Sequence, residues 1–147
     1  MADFERHTSQ ATHNENLLGI LSTQKIDKQY SDWYVTIAFY SAVHHFEALL
    51  FKYTKAFKLN KAKIQINHSH ELLDFYSTKS EHYARKHLML DNQDVLGKMY
   101  NAFVTLYEQS RVARYDCHNT SSYDLGASEG YLDQVKKECA KLLSPKK

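Results

Sequence analysis

The fold of this chain is decided by one stretch of sequence, WYVTIAFYSAVHHFEALLF, which covers residues 33–51. Wound into a helix, this stretch is apolar on nearly every side, and a helix of that kind belongs in the centre of a bundle. A strand is excluded by length, because strands usually have about 5–6 residues. Ser31 or Asp32 stands just before the stretch and can cap the helix. The sequence therefore predicts a buried central helix.

The composition extends this prediction to the whole chain. One proline and four glycines among 147 residues leave few turns, which favours long helices over strands. Hydrophobic residues make up 43% and aromatic residues 13%, enough to form a core. No repeat, low-complexity stretch or linker divides the sequence. We expect one domain over residues 1–147, with its core over about 12–143.

Four further helices are expected, one before and three after the central helix in the sequence. The first covers residues 11–23, opens on a capping box at Thr12 and Glu15, and is followed by a connection over 24–30. A loop is expected over 55–67 and another over 119–128. The third helix is expected to start near Ser69 and to carry the apolar residues Leu72, Leu73, Phe75 and Tyr76. The fourth is expected to start near Asp91 or Asn92, with Val95, Met99, Phe103, Leu106 and Tyr107 on one face. The last carries Leu132, Val135, Cys139 and Leu142 and ends at Ser144 and Pro145. The predicted fold is an all-α, up-and-down helical bundle of four to five helices.

Charge and cysteine usage limit the class of protein. The formal net charge is only +2, which argues against wrapping duplex DNA by charge alone and leaves room for a small RNA or nucleotide site. Cys117 and Cys139 are far apart, so we expect free thiols in a reducing compartment. A polar N-terminal stretch and the lack of an apolar run of about 20 residues predict a cytoplasmic protein without membrane spans.

Three segments in order resemble the HEPN family (higher eukaryotes and prokaryotes nucleotide-binding). They are residues 32–50, DWYVTIAFYSAVHHFEALL; residues 70–73, HELL; and residues 106–116, LYEQSRVARYD. The resemblance implies a helical bundle that often forms a homodimer. Active members are described as metal-independent ribonucleases of toxin–antitoxin or antiviral systems, built on an arginine, four to six residues and a histidine. It implies RNA or a nucleotide as ligand, no cofactor, and an antitoxin or nucleotidyltransferase as partner.

Arg111 and His118 are the candidate catalytic pair that this resemblance implies. Seven positions are nearly two helical turns, so both side chains share a face about 10 Å apart, too far to grip one phosphate from a single helix. A symmetric dimer with antiparallel late helices brings each Arg111 near its partner's histidine. His118 would then act as general base or acid, and Arg111 would stabilise the developing charge.

Two other interpretations of these arginines remain open. Arg114 lies four residues before His118, about 6 Å along the axis, and is a possible helper or rival of Arg111. Alternatively, both arginines pair with Glu108 or Asp116 on a polar face and have no catalytic role.

The central helix carries a second candidate group, a binding cluster. Tyr40, His44 and Glu47 lie on one face at steps of four and three, where they would hold a base or a ribose. The alternative is that His44 or His45 is a hydrogen-bonded histidine of the core. No metal site is expected, because the closely spaced His68 and His70 near a helix start point two ways and no cysteine or acidic pair completes a ligand set.

Two functions follow as expectations. The first is a dimeric, metal-independent endoribonuclease that uses Arg111 and His118. The second is a catalytically silent module that binds a nucleotide or a protein, favoured by Val112 beside Arg111 and by the near-neutral charge.

Overall fold

The apolar stretch forms a buried helix in the centre of a bundle. Helix α2, Ser31–Lys52, follows helix α1, Ala2–Thr23, and packs against it and against two later helices. Phe39, Phe46 and Leu49 of α2 are fully buried. The predicted cap is wrong in detail: Tyr30 is the N-cap residue and makes no side-chain cap bond, while Ser31 is already helical. Apolar burial on several sides therefore fixes α2 without a polar cap.

The computed structural model describes residues 2–27, 29–53, 57–59, 62–66, 69–115 and 125–144. These residues form an all-α bundle, as predicted, with five α-helices and one small two-stranded sheet. The remaining elements in chain order are β1, Phe57–Leu59; β2, Ala62–Ile64; a 3₁₀-helix, Ser69–Leu72; α3, Glu81–Asp91; α4, Gln93–Tyr115; and α5, Leu125–Leu143.

Contacts between side chains give the directions of the helices. Tyr40 and Phe46 of α2 contact Arg114 and Phe103 of α4, respectively, so these two helices run antiparallel. In contrast, α3 runs parallel to α2, since its residues 82 and 85 meet residues 40 and 47 of α2 in the same order. The chain between α2 and α3 therefore runs back along the bundle, and this return places α3 beside the C-terminal part of α4.

The first helix is longer than the sequence predicts. It begins at Ala2 rather than at residue 11, so Thr12 is an internal residue and the predicted capping box is wrong. The Thr12 hydroxyl bonds to the carbonyl of Thr8 at 3.1 Å, one turn earlier. Polar residues on an exposed helical face satisfy their hydrogen-bonding groups in this way, and they give no apolar pattern from which a helix could be predicted. Burial of Ala11 and Leu18 anchors the helix.

Residues 55–67 were expected to form a loop, but the described part contains a β-hairpin. Phe57 pairs with Ile64 and Leu59 with Ala62 in antiparallel register. Phe57 and Leu59 are buried while Lys58 between them is exposed, which is the period-two pattern of a strand. Three residues are too few for that pattern to stand out in a sequence.

The third helix begins later than predicted. Ser69 opens only a short 3₁₀-helix, and turns follow up to residue 77, where Ser77 has a positive φ of 48°. The α-helix starts at Glu81, and the Ser80 hydroxyl caps it by accepting a bond from the Tyr83 N–H at 3.2 Å. The side chain of Phe75, expected on an apolar face, is 49% exposed.

Asn92 separates α3 from α4 and holds the hairpin to them. Its side chain is buried; it accepts a bond from the Lys58 N–H at 2.7 Å and donates to the Lys58 carbonyl at 2.9 Å. The same amide donates to the Leu88 carbonyl at the end of α3. This confirms the predicted start of the next helix near residue 92 and explains why so short a hairpin has a fixed position.

The last two helices have the predicted apolar faces. Met99, Phe103 and Leu106 of α4 are buried, as are Val135 and Cys139 of α5. However, α5 begins at Leu125, so the second half of the loop predicted over 119–128 belongs to the helix, while residues 119–124 lie outside the described residues.

No helix in the described ranges is long and apolar enough to cross a membrane.

Phe103 provides a test of the bundle core. It is fully buried and contacts the rings of Phe39 and Phe46 across the α2–α4 interface. Phe103→Ala should lower the free energy of unfolding by about 3–5 kcal/mol, because it leaves a cavity. Urea unfolding followed by circular dichroism measures this loss. The control is Asn101→Ala on the exposed face of α4, and an equal loss in both variants would contradict the assignment of this interface.

Candidate ligand-binding surface between helices α2, α3 and α4

Arg114 is held in a defined position at the last turn of α4. Its Nε donates to the Ser110 carbonyl at 3.2 Å, and its Nη1 donates to the Tyr40 hydroxyl at 2.8 Å. The guanidinium carbon lies 5.5 Å from the centre of the Tyr40 ring and 5.3 Å from that of the Tyr115 ring. Arginine stacks on aromatic rings in this way while part of its fork of donors stays available.

His82 lies beside this arginine within a group of aromatic rings. Its ring centre is 5.0 Å from that of Phe39, 5.5 Å from Tyr107 and 6.1 Å from Tyr40. These residues come from α2, α3 and α4, so the imidazole lies where the three helices meet. Side-chain packing on three sides limits the orientations that the ring can take.

The charge state of His82 follows from its neighbours. Burial lowers its pKa to about 4, with the positive charges of Arg85 and Arg114 acting in the same direction. Its Nδ1 lies 2.8 Å from Nη1 of Arg85. The imidazole of His82 is therefore neutral at neutral pH.

A buried ion pair lies beneath the surface. Arg85 Nη2 is 2.6 Å from Glu47 Oε1, and the two side chains are only 4% and 2% exposed. Arg85 Nε also donates to the Ser69 hydroxyl at 3.1 Å, and Nη2 reaches Glu81 at 3.1 Å. Ion pairs this deeply buried require such additional bonds to offset desolvation. The pair links α2, the 3₁₀-helix and α3.

The predicted catalytic arginine lies apart from this network. The Arg111 side chain is 60% exposed, and the carboxylate of Glu108 lies 4.0 Å away, the contact of a solvated face. His118 lies outside the described residues. The Arg111–His118 pair, and the helping role of Arg114 toward His118, therefore stay predictions.

The three residues of the predicted binding cluster have three separate partners. Tyr40 contacts Arg114, Glu47 pairs with Arg85, and His44 meets His7 of α1 at 2.9 Å between the two Nδ1 atoms. Burial, and then His7, lower the pKa of His44. Of the three, Tyr40 lies at the candidate surface. The Glu47 carboxylate is committed to the buried pair, so it holds the fold rather than a ribose.

Both neighbouring histidines of α2 face the first helix. His44 is partly buried against His7, and His45 Nε2 is 2.9 Å from the carboxylate of Glu15. The sequence-based interpretation of hydrogen-bonded structural histidines fits both of them.

Five residues at or beneath this surface had no predicted site role: His82, Arg85, Lys86, Tyr107 and Tyr115. The one available signal was the spacing of His82 and Arg85 by three positions, which puts those two residues on one helical face. It was missed because the third helix was expected about ten residues too early, and because the sequence alone does not distinguish a buried arginine from a solvent-exposed one. Lys86 Nζ lies 5.1 Å from the ring centre of Tyr107.

Together these residues form a polar, aromatic surface with an excess of positive charge. We call it the Arg114 surface and define it by Tyr40, His82, Lys86, Tyr107, Arg114 and Tyr115. The carboxylates of Glu47 and Glu81 face three cations, those of Arg85, Arg114 and Lys86, so one positive charge is in excess. Such a surface binds anions that also carry a flat ring. In the part of the chain that is described, no three His, Cys, Asp or Glu side chains are grouped to hold a metal ion.

Removal of one partner of the buried pair is expected to be costly. Glu47→Ala should lower the free energy of unfolding by about 3–5 kcal/mol, because Arg85 keeps its charge and loses its buried counter-ion, and the partly exposed carboxylate of Glu81 offsets that charge only in part. The double variant Glu47→Leu/Arg85→Met should recover most of that loss. Urea titration of both proteins measures the difference. Lys141→Ala, which breaks an exposed pair with Glu138, is the control and should change little.

His82 gives a testable dependence of stability on pH. Its pKa of about 4 lies below the ordinary 6.5, so the unfolded chain binds a proton more readily than the folded one. Stability is complete above pH 6.5 and falls as the pH drops toward 4. Between pH 7 and pH 4.5 the wild type should lose about 1–2 kcal/mol more than His82→Asn, measured by urea unfolding; this figure is discounted for solvent screening of a partly exposed ring. Equal losses in the two proteins would show that His82 titrates normally.

Comparisons of this chain with family models, with curated proteins and with solved structures find no match. The HEPN resemblance therefore rests on the sequence motifs alone and stays a prediction.

Proposed function

We propose that this chain is a HEPN-like RNA-binding protein and that single-stranded RNA binds to the Arg114 surface. The observation that carries the proposal is the guanidinium of Arg114, bonded to the Tyr40 hydroxyl and lying over the rings of Tyr40 and Tyr115. The group is fixed before any ligand arrives. A function of this kind fits a cytoplasmic protein that needs no cofactor.

Arg114 suits the phosphate of a nucleotide chain. A guanidinium binds phosphate through two parallel N–H bonds, and the two bonds described above use two of its five donors. Because Tyr40 already orders the side chain, little rotamer entropy remains to be lost on binding. Lys86 adds a second cation on the same side of the bundle.

Tyr115 suits a base. Its ring is 77% exposed although it ends a helix in a protein with a well-formed core. Stacking of a base on such a ring contributes about 1–3 kcal/mol and depends little on sequence. An arginine beside an exposed aromatic ring is the pairing that binds single strands, whose bases are not occupied by a complement. Hence the favoured ligand is single-stranded RNA rather than a duplex.

The low net charge sets the strength of binding. With a formal charge of +2, non-specific attraction to a polyanion is weak, so affinity must come from the few groups of the Arg114 surface. Binding should accordingly respond strongly to single substitutions there.

A second candidate function is metal-independent cleavage of RNA by a homodimer, with Arg111 and His118 as the reacting pair. The observation that favours it is the exposure of Arg111, with Val112 beside it 41% exposed, on the turn that precedes the segment carrying His118. An exposed apolar residue next to an exposed arginine fits an interface with a second copy. In this function an antitoxin or a nucleotidyltransferase would be the regulating partner.

The binding proposal is tested with a fluorescent single-stranded RNA of about a dozen nucleotides and fluorescence anisotropy. Arg114→Ala should weaken binding tenfold or more, because a hydrogen-bonded charge contributes about 1.5–3 kcal/mol. Arg114→Lys should recover only part of the loss, since an ammonium cannot form the two-bond contact. Tyr115→Ala should weaken binding about five- to a hundredfold, through lost stacking.

Lys98→Ala is the matched control. It removes the same charge from the exposed face of α4, four turns away from Arg114. A change of less than about threefold is expected. If Lys98→Ala weakens binding as much as Arg114→Ala does, the protein binds by overall charge and the Arg114 surface is not the site.

The cleavage proposal requires a different assay. Wild-type protein, Arg111→Ala and His118→Ala are incubated with mixed RNA in EDTA, and light scattering gives the oligomeric state. Cleavage by a wild-type dimer that both substitutions abolish would establish the enzyme. An intact substrate beside measurable binding would leave the binding module as the function.

A further inference from the structure

We propose that Arg85 is a positioning residue of the Arg114 surface: it holds His82 with its proton on Nε2, so that a neutral imidazole donates a hydrogen bond to an oxygen of the bound RNA. The inference rests on the proposed RNA-binding function and adds two residues to it. Neither residue belongs to the arginine–histidine pattern on which the sequence resemblance draws.

The chemistry of the Arg85–His82 contact determines the tautomer. Arg85 Nη1 and His82 Nδ1 are 2.8 Å apart. A guanidinium has only donors, so Nδ1 must be the acceptor and carries no proton. A neutral imidazole has one N–H group, which is then on Nε2. The second ring nitrogen is thus a donor, and it belongs to the part of the ring that does not face Arg85.

Arg85 is unable to turn away from this contact. Its Nε and Nη2 are both engaged with Glu47, at 2.8 and 2.6 Å, and Nε also donates to Ser69. The guanidinium is planar, so fixing two of its nitrogens fixes the direction of the third. With a side chain only 4% exposed, no water molecule replaces His82 as acceptor at low cost. The orientation of His82 is therefore set from below the surface.

The surroundings of His82 also keep it neutral. Burial opposes its protonation, and two cations, Arg85 and Arg114, act in the same direction. Glu47 favours protonation, but it is already neutralised by Arg85. From α2, Tyr40 and Glu47 face the imidazole, and from α4, Tyr107 and Arg114 do so. On its own helix, α3, the facing group is Arg85, which also pairs with Glu81. Lys86 of α3 lies over the ring of Tyr107.

A neutral donor next to Arg114 has a functional consequence. A second cation at this place would repel Arg114, whereas the N–H dipole of a neutral imidazole would not. The imidazole adds a directed bond to an anion that the arginine attracts. RNA affinity should accordingly be constant from pH 5.5 to 8, within about twofold, because His82 does not change its charge in that range.

The tautomer is tested without any RNA. Two-bond ¹H–¹⁵N spectra of the wild-type protein distinguish the two tautomers of each histidine, and His82→Asn assigns the signal. We expect a proton on Nε2, none on Nδ1, and no titration between pH 5.5 and 8. A proton on Nδ1, or a midpoint near 6.5, would overturn the positioning role even if RNA binds well.

The role in binding is tested with the double variant Glu47→Leu/Arg85→Met, which removes the buried charges together and so avoids an unpaired one. Freed from Arg85, His82 should titrate nearer 6.5, and RNA should bind threefold or more tightly at pH 5.5 than at pH 8. A purely structural role would weaken binding by the same factor at every pH, and that result would refute the proposal.

The outcomes separate this inference from the function on which it rests. A wild-type protein that shows the expected tautomer but binds no RNA contradicts the proposed function, and the donor role falls with it. RNA binding that Arg114→Ala abolishes, but that stays unchanged in His82→Phe, whose side chain has no donor, leaves the function intact and refutes the donor role alone.

Discussion

The structure depends on the buried ion pair between Glu47 and Arg85. It is the point at which the central helix meets the chain that returns along the bundle, since Ser69 and His82 bond to the same guanidinium. Burying two charges has a large desolvation cost, and such a pair contributes little net stability compared with apolar residues of equal size. What it provides is direction: a carboxylate and a planar guanidinium fit in few relative orientations. The register of α3 against α2 is therefore set by polar geometry, while burial of Leu88 and Met89 in the core supplies free energy for the packing of α3.

This division of roles explains what a sequence reveals of the fold. The central helix, α4 and α5 could be predicted because their apolar side chains alone mark the buried face, as with Met99, Phe103 and Leu106. The first turns of α1 carry one large apolar side chain, Phe4, among polar residues, so no repeating apolar pattern was present to detect. The start of α3 was misplaced because one of its buried positions is Arg85. No local pattern distinguishes an arginine that will find a carboxylate 38 positions away from one that will face water.

The candidate surface was harder to predict than the fold, for the same reason. Tyr40 was predicted as a binding residue in a cluster with His44 and Glu47, but its partner is Arg114, 74 positions away, and not Glu47 on its own helix. Steps of three and four along a helix predict which residues share a face, but they do not predict which other helix that face will contact. Contacts between the helices depend on the segment between α2 and α3, which runs back along the bundle. From the sequence, this segment was predicted as a loop followed by a helix that starts too early.

The two arginines at the end of α4 differ in a way that bears on both proposed functions. Arg114 is ordered within one chain by Tyr40, so it can contribute to binding without a second copy. Arg111 is exposed and only loosely paired with Glu108, so it must lose rotamer entropy before it acts, and a surface that orders it has to come from elsewhere. Binding by the monomer and cleavage by a dimer would then be successive requirements rather than rival interpretations. In the proposed function Arg114 would bring RNA to the end of α4, and only an assembled interface would place Arg111 against it. Three positions on one helix would then separate a group proposed to bind RNA from a group that would need a partner to react with it.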